Sequence, residues 1–344
     1  MNNNITLIDI ARALNLSVST VSRALTDSYQ IGDETKRRVL AYAKEHHYIP
    51  NRMARSLREG KSRSIGVVVC SIDNNFAAQM LDGIDQYCSE HDYQLIIMQS
   101  KELFMQEKAC VNLLYAGGID GLLISPTYQT TDFEYLINLQ RSGLPIVLFD
   151  RLSNQIETHK VAADNFRGAY TATKHLIKNG FTKIAHINSN STLSIATERF
   201  EGYKQALADF NLPLNQDLIR FCDTTTLSSL TKNLEIALTE LMSLNQKPEA
   251  IFTATDQLST KCLAILNKLG YQIPNNVALI GFSNTDLADV LNPSLSTIHQ
   301  PAFEIGNLAA KQLLSLIGNK TDHTYETILL ETEIQVRSSS KKSN

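Results

Sequence analysis

A chain of 344 residues, 43% hydrophobic and 19% charged, is too long for one ordinary compact domain and predicts two or three. Its net charge of −3 is unevenly divided: residues 1–63 hold eleven Lys and Arg against six Asp and Glu, or +5, leaving −8 for the rest. A basic head on an acidic body fits a phosphate-binding module joined to a small-molecule sensor. Five widely spaced cysteines (Cys70, Cys88, Cys110, Cys222 and Cys262) without a Cys-x-x-Cys pair speak against a disulfide frame or metal site, and no cofactor is expected. Met-Asn-Asn-Asn carries no apolar signal region, and no apolar run reaches membrane length. The expectation is a cytoplasmic protein with no membrane partner.

The first predicted elements are two short helices within Thr6–Leu25. Thr6 with Asp9 three residues on is a capping-box-like start. Ile10, Ala11 and Leu14 line the apolar stripe of this helix, and Asn15 suits a left-handed turn. Ser17 then caps a second helix whose Val21 and Leu25 face inward, leaving Val18, Ser19, Ser22 and Arg23 outside. Small polar residues at a helix start, with an arginine one turn on, suit entry into a major groove. Taken alone, the stretch fits an ordinary surface helical hairpin equally well.

A third helix starts at Asp33 or Glu34, with Val39, Leu40 and Ala43 as its inner face and Lys36, Arg37 and Arg38 outside. Beyond it His47-Tyr48-Ile49-Pro50-Asn51-Arg52-Met53-Ala54-Arg55-Ser56-Leu57-Arg58 leads through a basic segment into the apolar strand Ile65–Val69. Here the chain resembles the lactose/galactose repressor (LacI/GalR) family of bacterial transcription regulators. The matching motifs are Thr-Leu-x-Asp-Ile-Ala, Val-Ser-x-x-Thr-Val-Ser-Arg-Ala-Leu and Tyr-Ile-Pro-Asn-x-x-Ala-Arg-Ser-Leu. The departures in this region are Asn15 at the family's turn glycine and His47 where a glycine often ends the third helix.

The resemblance implies a sequence-specific DNA-binding regulator, by family default a repressor. Val18, Ser19 and Arg23 are then expected at base edges, Val18 on a thymine methyl or simple shape and Arg23 on a guanine. Thr6, Ser17, Thr20, Ser22, Asn51 and Arg52 are expected at phosphates. Pro50–Arg58 resembles the family's hinge helix, which forms on operator DNA, and Leu57 is its expected minor-groove wedge. Two heads and two hinges imply a homodimer on a palindromic double-stranded operator. No heptad repeat follows residue 337 to build a tetramer.

From residue 64 short apolar strands alternate with amphipathic helices. Predicted strands are Ile65–Val69, Gln94–Met98, Gly121–Ile124, Ile146–Phe149, Lys183–Ile187, Ala250–Ala254 and Val277–Phe282. Predicted helices include Phe76–His91, Gln106–Ala116, Asp132–Arg141, Arg167–Asn179, Ala196–Phe210, Asp256–Leu269 and Ala302–Gly318. The pattern predicts two consecutive doubly wound α/β halves breaking near Asp164. The resemblance implies the periplasmic-binding-protein architecture, two Rossmann-like lobes joined by crossing strands. The expected organisation is a helix-turn-helix DNA-binding domain at 1–49, a hinge helix and linker at 50–63, an effector-binding core at 64–338 and a disordered tail at 339–344. One lobe is expected at 64–163 and 295–323, the other at 164–294 and 324–338.

Ligands of open α/β sheets sit beyond the carboxyl ends of the strands. That rule selects Ser71 through Asn75 and Phe76, then Asp150 and Arg151, then Thr255 and Asp256, then Ser283 and Asn284. The resemblance adds Arg199 and Gln300. Carboxylates and a guanidinium suit the hydroxyls of a sugar or sugar derivative, and Phe76 is either core or a platform for an apolar sugar face. Asp256 reads chiefly as a helix cap, and Asp150 with Arg151 as a pocket pair more than a surface ion pair. Many family members carry an aspartate where Ser283 stands; its loss, with Arg151 and Arg199 nearby, brings a sugar acid or phosphorylated sugar into consideration. Whether the effector releases DNA or tightens it is left open. A transport-type sugar-binding protein would share the core but has no use for residues 1–63. An enzyme is not expected: no Gly-x-Gly-x-x-Gly loop or Ser/His/Asp set stands out.

Overall fold

The structure, a computed structural model, describes residues 5–26, 28–48, 61–189, 194–224, 226–318 and 324–341. They divide into two compact units, 1–62 and 63–344.

The first unit contains α1 (Leu7–Leu14), α2 (Val18–Leu25) and α3 (Asp33–Glu45). Thr6 and Asp9 close the expected capping box: the Asp9 N–H donates to Thr6 Oγ1 at 3.3 Å and the Thr6 N–H to Asp9 Oδ2 at 2.9 Å. Asn15 turns the chain with φ 55°, and Ser17 Oγ accepts the Thr20 N–H at 3.0 Å to start α2. Ile10, Ala11, Val21, Ala24, Val39 and Ala43 form the buried core. Leu40, expected on the inner face, is 50% exposed. Val39 and Ala43 are four residues apart and define the inner stripe, and the roughly 100° step from Val39 swings Leu40 off it. The expected hinge, with Asn51, Arg52 and Leu57, lies outside the described residues.

The second unit holds two six-stranded sheets, mostly parallel. In chain order its elements are β1 (Ser64–Val69), α4 (Asn75–Glu90), β2 (Gln94–Gln99), α5 (Phe104–Ala116), β3 (Gly121–Ile124), α6 (Glu134–Arg141), β4 (Ile146–Phe149), β5 (His159–Ala163), α7 (Asn165–Lys178), β6 (Ile184–Ser189), α8 (Ser194–Asp209), β7 (Ile219–Cys222), α9 (Leu227–Ser243), β8 (Ala250–Thr253), α10 (Asp256–Lys268), β9 (Ala278–Phe282), β10 (Ser296–His299), α11 (Ala302–Gly318), β11 (Thr327–Leu330) and β12 (Glu333–Gln335). The first lobe's sheet runs β11-β5-β4-β3-β1-β2, the second's β12-β10-β9-β8-β6-β7. Strands β1, β3, β4 and β8 are buried along nearly their whole length, as strands covered by helices on both faces must be.

The chain crosses between lobes near Asp164 as expected, but later crossings differ from the expected bounds. Strand β10 pairs with β9 in the second lobe, and β11 pairs with β5 in the first. Residues 296–299 therefore belong to the second lobe and 327–330 to the first. Side-chain partners explain the assignment. Ile298 joins the second lobe's core beside Phe252 and Phe282, whereas Ile328 and Leu330 pack on the first lobe's core with Val161. The tail is also ordered further than expected. Ser339 and Ser340 are fully buried, with Ser339 Oγ donating to the Leu279 carbonyl and Ser340 Oγ bonded to Ser296 Oγ, both at 2.7 Å.

Glycines let the crossing helices touch backbone to backbone. A Cβ on Gly83 would strike the Phe303 carbonyl, and one on Gly306 the Met80 carbonyl, so α4 and α11 meet only without side chains there. All five cysteines are free and buried, so they pack as small apolar side chains.

Candidate functional site

In the head, Val18 is 44% exposed, and Ser19 and Arg23 are exposed on α2. They form the outer face that a recognition helix presents. Ser17 is shared: its hydroxyl holds the Thr20 N–H and lies 2.8 Å from both Ser19 Oγ and Thr20 Oγ1. Thr6 Oγ1 donates to Asp9 Oδ2 at 2.6 Å, and that hydrogen bond holds the Asp9 carboxyl below its usual range. Ser22 and Thr20 are half-buried. Two of the residues expected at phosphates, Thr6 and Ser17, are thus also the caps that start the two helices.

In the second unit, loops beyond β1, β3 and β4 face those beyond β8, β9 and β10 across the lobes. The structure brings together Asp150, Arg151, Arg199, Asp256, Ser283 and Gln300. Arg199 lies on α8, is 5% exposed, and sets its guanidinium carbon 3.8 Å from the centre of the Phe282 ring. Nε and Nη2 donate to Asn165 Oδ1 at 2.9 and 2.7 Å, Nη2 also to Gln300 Oε1 at 2.7 Å, and Nη1 to the Ala254 carbonyl. Every one of these acceptors is uncharged. Burial pulls the Arg199 pKa down to about 10, against the opposing pull of Asp150 and Glu198. Among the described residues no carboxylate pairs with it within ion-pair distance.

Asp150 has φ 62° and accepts Ser125 Oγ at 3.1 Å; burial raises its pKa, opposed by Arg151 and Arg199. Arg151 is committed elsewhere. Its Nη2 and Nη1 grip Glu102 Oε1 and Oε2 at 2.6 and 2.8 Å, and Nη1 also reaches the Pro126 carbonyl and Cys70 Sγ. The pocket role expected of Arg151 is therefore shared with a structural ion pair, and its charge is met from within the protein.

Asp256 does not cap its helix. Thr255 does, accepting the Leu258 N–H at 3.3 Å, because the cap must lie one residue outside the first helical turn. That commits the Thr255 hydroxyl to the helix. Asp256 instead takes the Ser283 hydroxyl and the Asn284 N–H, and burial raises its pKa. Asn75 opens α4 behind the cap Asn74. Phe76 is half-buried against the first lobe's core, which favours the packing role over the sugar platform.

Sequence reasoning passed over Glu102, Asn165, Ser125 and Gln79. The carboxyl-end rule applied after β2 reaches Glu102, and applied after β5 it reaches Asn165. Strand β5, His-Lys-Val-Ala-Ala, has too few large apolar residues to be read as buried, although it is.

The head and the two-lobed body define a class: a DNA-binding regulator controlled by a small molecule. Residues 6–51 match the model of bacterial regulatory proteins of the lacI family, and residues 173–340 that of the periplasmic binding protein-like domain. The ribose operon repressor of Haemophilus influenzae is 31% identical over 336 residues, covering 97% of this chain and 98% of the relative. The HTH-type transcriptional repressor PurR of Aliivibrio salmonicida is 30% identical over 338 residues, covering 98% and 99%. Among solved structures, the lac repressor dimer bound to operator and an anti-inducer superposes with TM-score 0.84 at 22% identity, covering 99% of this chain and all of that one. The transcriptional regulator CelR with cellobiose superposes with TM-score 0.72 at 24% identity, covering 97% and 99%. The chain belongs to the LacI family of bacterial transcription regulators. It is a DNA-binding transcriptional repressor of the kind controlled by a small-molecule effector. No helix among the described residues is long and apolar enough to cross a membrane.

Proposed function

We propose that the effector is a sugar or similar polyhydroxyl molecule held between the lobes, with Arg199 as its anchor and Gln300, Asp150, Ser283 and Asp256 completing the polar lining. The buried guanidinium carries this reading: it is stacked on Phe282 and surrounded by neutral acceptors. A buried guanidinium with neutral acceptors and no ion-paired carboxylate keeps its charge available to hydroxyls entering the cleft. One relative, named for a ribose operon, and a fold neighbour solved with cellobiose are consistent with this reading. Arg151, Asn75 and Thr255 support the loops, the first through Glu102 and the other two at the starts of helices.

On DNA, Val18, Ser19 and Arg23 read base edges. Thr6, Ser17, Thr20 and Ser22, with Asn51 and Arg52, hold phosphates, and Leu57 wedges the minor groove. The protein works in the cytoplasm and catalyses no reaction. Effector binding shifts the angle between lobes and so the operator affinity, a coupling of about 1–3 kcal/mol in such systems. The test is fluorescence anisotropy on operator palindromes with D-ribose and cellobiose titrated into wild type and Arg199→Gln. The reading requires that a sugar shift operator binding in wild type and not in the variant. A sugar response that survives the substitution overturns it.

A further inference from the structure

Between β2 and α5 two successive non-glycine residues, Lys101 and Glu102, have φ of 51° and 60°. Side chains with a Cβ rarely enter this left-handed region, and two in a row persist only where the surroundings impose them. What holds Glu102 is a two-point grip on Arg151, 2.6 and 2.8 Å, reinforced by the Tyr128 N–H at 3.2 Å. The two side chains are only 28% and 18% exposed. Burial pushes the Glu102 carboxyl up, but Arg151 outweighs it and holds the group below the usual carboxylate range, so it stays charged.

This fork-on-fork geometry is the one an acidic ligand would use on a free guanidinium. Asp150 stands 3.9 Å from Arg151 Nε, so two carboxylates already meet one guanidinium at this end of the cleft. Asp73 and Asp256 lie within electrostatic reach of each other in the facing loops. We propose that Glu102 is a specificity-determining residue. Its carboxylate fills the place on Arg151 that an effector's carboxylate or phosphate would take, so the cleft selects an uncharged polyhydroxyl effector over its acidic counterpart. The strained turn is what delivers the carboxylate there. The inference rests on the reading that the effector binds between the lobes.

The test uses full-length wild type, Glu102→Gln and the double variant Glu102→Gln/Arg151→Gln. Inorganic phosphate and D-glucuronate are the probes, with D-glucose as the neutral control, at matched ionic strength, read by calorimetry and thermal shift. Freed of its internal partner, Arg151 takes the anions: Glu102→Gln binds them roughly tenfold or more tighter than wild type, the size of one charge-assisted bond. The double variant loses the gain, which separates a freed guanidinium from a general change in charge. Equal anion binding by wild type and Glu102→Gln, including none by either, overturns the proposal, as does a gain that persists in the double variant. Should Glu102→Gln melt early, Glu102→Asp withdraws the carboxylate by one methylene and gives the same direction at smaller size; no gain there overturns the proposal equally. Arg199→Gln distinguishes the two readings. If it abolishes the sugar response while Glu102→Gln gains no anions, the selectivity proposal alone falls. If it leaves the sugar response intact, the cleft reading falls instead.

Discussion

Asn284, in the loop after β9 of the second lobe, donates from Nδ2 to Gln79 Oε1 on α4 of the first lobe at 2.8 Å. The same Asn284 amide brackets the Gln300 backbone, donating to its carbonyl at 2.8 Å and accepting its N–H at 3.0 Å. The Gln300 side chain in turn accepts from Arg199. Three consecutive links therefore join the buried guanidinium of one lobe to a helix of the other. The chain of contacts offers a route by which a ligand at Arg199 would act on Gln79, and it is made in this arrangement of the lobes.

Gln79→Ala removes the cross-lobe bond without touching Arg199. A single hydrogen bond of this kind is worth about 1 kcal/mol net, so effector affinity should weaken roughly fivefold. Operator binding without effector should change less than its response to effector. Calorimetry with the effector, paired with anisotropy on operator, checks both; an unchanged effector affinity would show that the link carries no coupling.

The pattern of the core was legible where physics writes it in hydrophobic runs. Strands β1, β3, β4 and β8 each carry four or more consecutive apolar or small residues, and all were read within a residue or two of their observed ends. The strands that escaped are of another kind. Strand β5 opens with buried His159 and Lys160, β10 is Ser-Thr-Ile-His, and β7, β11 and β12 lie at sheet edges where exposure breaks the run. Helix α9 hides behind the polar start Thr224-Thr225-Thr226 although Leu230, Leu234 and Leu241 are buried at helical spacing. At the site, a residue's place at a strand end could be read from sequence. Its partner could not, because Glu102 meets Arg151 across 49 residues and Arg199 meets Gln300 across 101.

The head separates two kinds of residue that one sequence motif mixes. Ser17 caps α2, so Ser17→Ala should lower the head's stability by about 1 kcal/mol and weaken binding to all DNA sequences alike. Arg23 is exposed and caps nothing. Arg23→Ala should leave the melting curve alone, cost about 1–3 kcal/mol on operator, and relax preference at one base pair. Melting of both variants beside operator and scrambled-DNA titrations distinguishes them. A uniform loss for Arg23→Ala would move it to the phosphate class.

Each sheet ends on a strand bearing exposed apolar side chains: Ile96 and Ile97, 44% and 45% exposed, on β2, and Phe221, 52% exposed, on β7. Open apolar edges invite pairing, and the homodimer expected from the two-headed reading of a palindromic operator makes a second copy the cover to test. Ile97→Asp should shift the protein toward monomer in light scattering and weaken operator binding at low protein concentration. A variant that remains dimeric would place the interface elsewhere.

His186 predicts a pH dependence. The ring is fully buried in β6, stacked on Tyr203 at 4.9 Å and on Phe200 at 5.7 Å and tilted against Phe252 at 4.9 Å, and neither ring nitrogen makes a hydrogen bond of ordinary geometry. Burial drives its pKa down to about 3, so the folded chain keeps it neutral. The unfolded chain takes up the proton near its ordinary value of about 6.5. Protons therefore favour unfolding: the stability is whole above that value and falls by about 1.4 kcal/mol per pH unit as the pH drops toward the folded pKa. Between pH 7 and pH 5 the loss from this one group is about 2 kcal/mol. His186→Phe keeps a flat ring in the stack and cannot take a proton. Urea unfolding at the two pH values should show the variant losing about 2 kcal/mol less than wild type. Equal losses would mean that the imidazole finds a partner or a proton in the fold after all.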